Sequence, residues 1–204
     1  SVTLDFILDK NIFGLSNTAI KLEALKDVDI KLCSELIAVD WYLFSSLLVL
    51  GKSTVFTNNT ITYYRQHGAN TVGINKINEQ SVLNAINVKL IHYRYMKDKS
   101  DKFENMLKST EELSQWIDSK KRLQEYMLVC GYSSKTIKAY SLCIRKIHGH
   151  VKKSLDKVSE EEFITFLDKL HKKRLSPYTL NQYYAAFRLV ITKIYKKPLL
   201  FDFP

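Results

Sequence analysis

Strand-like alternation of apolar and polar residues stops at Ser119, and only helix signals remain after it. Serines of the N-cap type stand at Ser133–Ser134, Ser159 and Ser176, each just ahead of residues with helical periodicity. Pro177 follows at the first helical position, where a helix tolerates proline, and three glutamates follow Ser159, where they suit the helix dipole. With short loops between them, these signals predict a compact bundle of four helices.

The part of the chain before Ser119 has a mixed pattern. Three segments alternate like strands: Val2–Leu8, Ser53–Phe56 and Ile61–Arg65. Helical spacing of apolar side chains is found from about Asn17 and over residues 34–50 and 76–108, with Gly51 at the end of the second segment. Strands mixed with helices predict an α/β unit, so the expected fold class of the whole chain is α+β.

Charge divides the chain at the same place. Residues 1–118 have 13 Lys and Arg against 14 Asp and Glu, whereas residues 119–204 have 18 against 7. The whole positive excess therefore lies in the second part, which favours an anionic partner for that part alone. We predict a partial α/β domain over residues 1–110, a linker over residues 111–118 and an all-α domain over residues 119–204.

Cysteine usage and hydropathy exclude several classes of protein. Cys33, Cys130 and Cys143 are far apart, with no CxxC pair and no Cys/His cluster, which disfavours a disulfide framework and a zinc site. The longest apolar run, residues 36–50, contains Asp40 and is shorter than the ~20 residues that a membrane-spanning helix needs. We therefore predict a cytoplasmic protein without a transmembrane segment, a metal site or a cofactor.

The first part contains two candidate sites. Asp40 lies between Val39 and Trp41, where desolvation would raise the pKa of a carboxyl toward that of a general base. Asp40 can equally cap a helix or pair with Arg65. The second candidate is a loop with two glycines and the polar side chains Arg65, Gln66 and His67, which suit phosphate or sugar hydroxyls but also an ordinary solvated loop.

The spacing of three motifs resembles the C-terminal half of a family 2 glycosyltransferase. The motifs are Phe13–Thr18, Val39–Trp41 with Gly51, and Tyr64–Thr71. The resemblance implies that Asp40 is the catalytic base of an inverting transfer. It further implies that Arg65, Gln66 and His67 lie over the diphosphate and the acceptor, and that Ser16 and Asn17 lie on the acceptor side.

One departure limits this resemblance. The Asp-x-Asp motif, which binds the metal and the nucleotide diphosphate in that family, has no counterpart here, and the donor-binding half would precede Ser1. We therefore expect Asp40 to be a vestigial base. A divalent metal would be needed only with the missing half, and a nucleotide sugar or a glycan acceptor would be the partner of residues 1–110. Removal of that half would expose a sheet edge and favour self-association.

The second part contains two helices with polar faces opposite their core stripes. On the helix after Ser134 the polar side chains are Lys138, Ser141, Arg145 and His148. On the helix after Ser176 they are Thr179, Asn181, Gln182, Arg188, Thr192 and Lys196. Lysine and arginine neutralise phosphates, and amide and hydroxyl groups bind phosphates or base edges. A solvated basic surface has the same composition, although +11 over 86 residues is more than solubility requires.

The order of these segments resembles the N-terminal core-binding domain of tyrosine recombinases, the phage integrase family. The resemblance covers residues 119–204 and rests on four segments: Leu123–Met127, Gly131–Tyr140, Phe163–Leu167 and Leu175–Asn181. It implies a four-helix bundle that binds duplex DNA. The DNA-facing positions that it implies are Lys135, Thr136, Lys138, Arg145, Thr179, Asn181 and Arg188.

The catalytic Arg…His-x-x-Arg…Tyr set of that family would lie beyond Pro204, so Tyr183, Tyr184 and Tyr195 are not expected to be nucleophiles. The predicted function is DNA binding, in DNA integration or recombination, by a recombinase domain joined to a truncated glycosyltransferase segment. No complete active site is expected. The alternative is a fragment of an enzyme that transfers sugar from a nucleotide sugar to a glycan.

Overall fold

The computed structural model describes residues 2–29, 34–57, 59, 61, 63 and 78–199. The chain divides into two compact units, Ser1–Glu111 and Glu112–Pro204. The α-helices are α1 Leu4–Ile7, α2 Leu22–Leu25, α3 Val39–Val49, α4 Glu79–Met96, α5 Asp101–Val129, α6 Ser134–Val151, α7 Glu160–Lys172 and α8 Pro177–Leu189. Two 3₁₀ turns, Lys97–Lys99 and Leu155–Lys157, and a π-helical turn, Val190–Ile194, complete the regular structure of the described residues.

The predicted α+β fold class is wrong, because the described residues are helical and contain no β-strand. The predicted strand Val2–Leu8 instead contains the single helical turn α1, which buries Ile7. Residues 53–56 belong to no regular element, and Ile61–Arg65 lies partly outside the described residues. Alternation alone does not make a strand, because a strand also needs a neighbour to receive its backbone hydrogen bonds.

This correction removes the physical basis of the partial α/β glycosyltransferase segment. The sheet edge on which the predicted self-association depended is likewise absent from the residues that the structure describes. Two of the predicted helices in this region are shorter than expected. The helix predicted from about Asn17 is limited to Leu22–Leu25, and the one predicted over residues 34–50 begins at Val39.

The core of the first unit forms around α3, which is apolar on most of its circumference. Trp41, Tyr93 and Phe103 are buried together. Two of these aromatic side chains also hold the N-terminal segment in place. Trp41 Nε1 donates to the carbonyl oxygen of Ile7 at 2.7 Å, and the Tyr93 hydroxyl donates to that of Leu8 at 2.9 Å. An aromatic ring with a polar tip thus fills the core and satisfies backbone oxygens that no sheet would serve.

The second unit has its own core, built from the last turns of α5 and from α6, α7 and α8. The stripes predicted from the sequence point inward: Ile144 and Ile147 of α6 are buried, and so is Phe187 of α8. Phe163 of α7 is fully buried and stacks on Phe187, with ring centroids 4.3 Å apart. The predicted bundle of helices over this part of the chain is confirmed.

The helix ends of the second unit follow the predicted signals. The side chains of Ser133, Ser159 and Ser176 accept hydrogen bonds from the backbone N–H three residues later, at the starts of α6, α7 and α8. Gly131 follows α5 with a φ of +75°, a left-handed conformation that glycine adopts without strain. Local hydrogen bonding thus sets where these helices begin.

The predicted linker, residues 111–118, lies within α5. This helix runs from Asp101 to Val129, and the boundary between the two compact units falls inside it. Among the helices that the structure describes, none combines the length and the apolar character that crossing a membrane would require.

Candidate nucleic-acid interface

Helix α6 presents a basic face to solvent. Six exposed residues make up this basic face of α6: Lys135, Lys138, Leu142, Arg145, Lys146 and Gly149. With 3.6 residues per turn, they fall within an arc of about 100°, opposite the buried side chains of the same helix. The helix sequence contains no Asp or Glu, so its four cations have no acidic neighbour on the same helix.

The cations of this face also have no partner from other helices. Elsewhere in the unit, lysines form ion pairs, such as Lys153 with Glu162 at 2.6 Å and Lys172 with Asp168 at 2.6 Å. None of the four cations of the basic face forms an ion pair with a residue for which the structure gives a position. Their charge is therefore available to an external anion.

The two ends of α6 hold the face in place. At the start, the Ser133 hydroxyl caps the helix and accepts from the backbone N–H of Thr136 at 3.1 Å. At the end, Lys152 adopts a φ of +51° and its N–H donates to the carbonyl of His148 at 2.8 Å. On the inner side, burial raises the pKa of the Cys143 thiol to about 11, so this cysteine stays protonated and packs as an apolar residue.

The predicted DNA-facing residues fall into two groups. Lys135, Lys138 and Arg145 lie together on the basic face of α6, and Asn181 and Arg188 are exposed on one side of α8. Thr136 and Thr179 differ, because their hydroxyls bond to the cap serines: Thr136 to Ser133 at 2.8 Å and Thr179 to Ser176 at 2.9 Å. These two threonines therefore serve the helix starts.

Two residues that the sequence placed on the polar side of α6 face inward. Ser141 is buried and accepts a hydrogen bond from Gln124 Nε2 of α5 at 3.2 Å. His148 is half-buried and stacks on Trp116 of α5, with ring centroids 4.3 Å apart. Burial lowers the pKa of His148, and Glu112 opposes this shift. Lys146, Leu142 and Gly149, which sequence reasoning missed, occupy the exposed side instead.

The tyrosines of α8 and the following turn have structural partners. Tyr183 is buried and packs edge-on against Phe166, with centroids 5.5 Å apart. The Tyr195 hydroxyl lies 2.7 Å from Ser119 Oγ, and Arg122 of α5 donates to the carbonyl oxygen of Ile194 at 2.9 Å. Tyr195 follows the π-helical turn, whose closing bond runs from its N–H to the carbonyl of Val190 at 3.0 Å.

The candidate sites of the first unit do not assemble in the described residues. Asp40 is half-buried, and its carboxylate accepts from the N–H of Trp41 at 2.8 Å. Ser16 and Asn17 lie in an exposed turn, where Asn17 Oδ1 accepts from the N–H of Gly14 at 2.8 Å. Arg65, Gln66 and His67 lie outside the described residues, so the structure gives no position for this part of the predicted site.

A buried histidine in the first unit went unnoticed in the sequence. His92 is fully buried, and its Nε2 lies 3.4 Å from Ser45 Oγ, while its Nδ1 has no hydrogen-bond partner. Burial lowers the pKa of His92 to about 3, so the ring is neutral. Because Ser45 is also completely buried, a substrate cannot reach this pair, and its arrangement serves packing. Among the residues with described positions, no three His, Cys, Asp or Glu side chains converge to hold a metal ion.

Comparison with known proteins places the second unit in context. Residues 120–200 match the family described as phage integrase, N-terminal SAM-like domain. No curated protein and no solved structure matches the chain. The matched residues include α6, α7 and α8, and no match supports the resemblance of residues 1–110 to a glycosyltransferase.

Proposed function

We propose that the second unit binds duplex DNA through the basic face of α6. One observation carries this proposal: four exposed cations share one face of a helix that contains no acid, and none of them has an ion-pair partner among the described side chains. The match of residues 120–200 to the integrase SAM-like family supports DNA as the anion.

Phosphates are the natural partners of this face. Each Lys or Arg that neutralises a phosphate releases a condensed counterion, so affinity falls as salt rises. This contribution is independent of sequence and gives dissociation constants of ~10⁻⁴–10⁻⁶ M for non-specific binding at physiological salt. Asn181 and Arg188 of α8 are exposed, and their side chains can reach phosphates or base edges.

We further propose that this DNA binding serves a reaction of the tyrosine recombinase type, in DNA integration or recombination. The family match supports this role, and the chain would contribute the part that holds DNA. We assign no strand-cleaving residue to it, because Tyr183 is buried and the Tyr195 hydroxyl is bonded to Ser119.

The test is a titration of a labelled duplex of about two helical turns with the full chain at several salt concentrations. The triple variant Lys138→Ala, Arg145→Ala, Lys146→Ala should bind more weakly. Its slope of log K against log salt should fall by about 0.9 for each phosphate that is no longer neutralised.

A matched control removes the same charge from another helix. Lys169, Lys172 and Lys173 lie at the end of α7 and are exposed, so their triple alanine variant has the same net charge as the α6 variant. We expect it to bind close to wild type. Equal losses in the two variants, or binding that is indifferent to salt, would mean that the basic face of α6 is only a solvated surface.

A single substitution on α8 tests for sequence readout. Asn181→Ala removes an amide but no charge, so the salt slope should stay unchanged. If Asn181 contacts a base edge, discrimination between duplexes of different sequence should decrease. Competition between two unlabelled duplexes for the same labelled one measures this discrimination. Unchanged discrimination would assign Asn181 to the solvent.

A further inference from the structure

A glycine occupies the last turn of α6, on the basic face. Gly149 lies on the same line as Leu142, seven residues and about two turns earlier. Arg145 and Lys146 flank this line on its two sides. The centre of the face is therefore uncharged and low, while its borders are cationic.

The fold gives no reason for a glycine at this position. A Cβ built on Gly149 meets no heavy atom within 4 Å, and its φ is not in the left-handed range. Glycine weakens a helix relative to alanine, because the unfolded chain loses more freedom there. Alanine would therefore fit Gly149 without a clash and would stabilise α6.

The residue that follows this helix shows the opposite mismatch. Lys152 takes the left-handed conformation, with a φ of +51°, which normally favours glycine. At the ends of α3 and α5 the corresponding positions are Gly51 and Gly131, with φ of +73° and +75°. The end of α6 thus has a glycine where the helix favours a side chain and a lysine where the backbone favours glycine.

We propose that Gly149 is the point at which the DNA backbone comes closest to α6, with Leu142 making an apolar contact on the same line. This inference rests on the proposed DNA binding. A missing side chain lets a wide, regular ligand approach the helix backbone, while the flanking cations extend around it. A protein partner fits less well, because the face has no aromatic side chain of the kind that anchors protein interfaces.

The decisive variant is Gly149→Ala in the full chain, because stability and binding should change in opposite directions. The melting temperature reported by Trp116 should rise by about 2–4 °C. Affinity for the labelled duplex should fall roughly fivefold, and roughly twentyfold or more for Gly149→Leu, whose side chain is longer. The salt slope should stay at the wild-type value, because no charge is removed.

The matched control is Thr165→Ala. Thr165 is exposed on α7, in the same unit, and alanine there also favours the helix because threonine is a weaker helix former. It should raise the melting temperature and leave DNA affinity unchanged, which excludes stabilisation itself as the cause of weaker binding.

The outcomes separate this inference from the proposed function. If wild type binds no duplex, or binds as well without the α6 cations, the proposed function fails. If the cation variant loses affinity but Gly149→Ala binds as tightly as wild type, DNA binding stands and the close approach is wrong. A lower melting temperature of Gly149→Ala would show that the fold itself requires the glycine, which also overturns the inference.

Discussion

The chain contains two tryptophans, one in each unit, and each stacks on a histidine. Trp41 and His92 lie 3.9 Å apart at 7° in the first unit, and Trp116 and His148 lie 4.3 Å apart at 11° in the second. The ring geometry is nearly the same, but the surroundings differ. His92 is fully buried, whereas His148 is half-buried and has Glu112 nearby. Access to water and to charge, rather than the stacking contact, therefore distinguishes how the two histidines titrate.

Because each unit has its own tryptophan, fluorescence can follow the two separately. A Trp116→Phe background leaves Trp41 to report on the first unit, and a Trp41→Phe background leaves Trp116 to report on the second. The two buried cores share no residue. Four predictions test how far the comparison between the units holds.

The largest effect is expected from a core substitution in the second unit. Phe163→Ala removes a fully buried ring that stacks on Phe187, which should cost about 3–5 kcal/mol of unfolding free energy. Urea unfolding followed through Trp116 should show the loss, while the transition followed through Trp41 keeps its midpoint. A joint shift of both transitions would contradict separate cores.

Acid should destabilise the first unit through His92. The unfolded imidazole takes up a proton near pH 6.5, whereas burial holds the folded pKa at about 3. Stability is therefore complete above pH 6.5 and is lost as pH falls toward 3, by ~1.4 kcal/mol per pH unit, or ~3 kcal/mol at pH 4.5. Urea midpoints measured through Trp41 across this pH range test the expectation.

The variant His92→Gln is the control for this pH dependence. It keeps a polar, neutral side chain and should be less stable at pH 7, but the steep decline between pH 6.5 and 4.5 should disappear. If the decline persists in the variant, the carboxylates of the unit are its cause rather than His92.

Helix caps should contribute equally in the two units. Ser159 starts α7 and Asn78 starts α4, and each forms a capping box with the residue three positions later, Glu162 or Ser81. Replacement of either cap by alanine should cost ~1 kcal/mol. Ser159→Ala should register through Trp116 and Asn78→Ala through Trp41. A loss in only one unit would show that local capping energy does not transfer between them.

The smallest effect is expected from a surface ion pair. Lys172 and Asp168 lie one turn apart on α7, 2.6 Å from N to O, and both side chains are more than half exposed. Lys172→Ala should therefore change the unfolding free energy by only ~0.3–0.5 kcal/mol. High salt should remove most of the difference between wild type and variant, and a larger loss would contradict this account of the pair.

Sequence reasoning described the second unit well because its signals are local. A cap serine, a proline at the first helical position and a glycine at the last act within one turn, so the starts of α6, α7 and α8 could be predicted. The first unit depends on contacts between distant residues. Val2–Leu8 alternates like a strand, but its backbone oxygens bond to Trp41 and Tyr93 instead of a neighbouring strand.

The candidate interface was predictable only in part for the same reason. Its charge and the helix that bears it are evident from composition and periodicity. Which side of α6 stays exposed is set by Trp116 and Gln124 of α5, which cover His148 and Ser141. Lys146 and Gly149 were therefore missed. The assignment of individual DNA-contacting residues, the catalytic role of Asp40 and the cytoplasmic location stay predictions.

The π-helical turn Val190–Ile194 makes the length of this segment matter as much as its side chains. A π-helical turn holds more residues than an α-helical one. Deleting one residue here would allow an α-helical turn and rotate all that follows by about 100°. The Tyr195 hydroxyl would leave Ser119, and Arg122 would lose its carbonyl partner. This stretch should therefore accept exchanges between side chains of similar size but reject one-codon deletions.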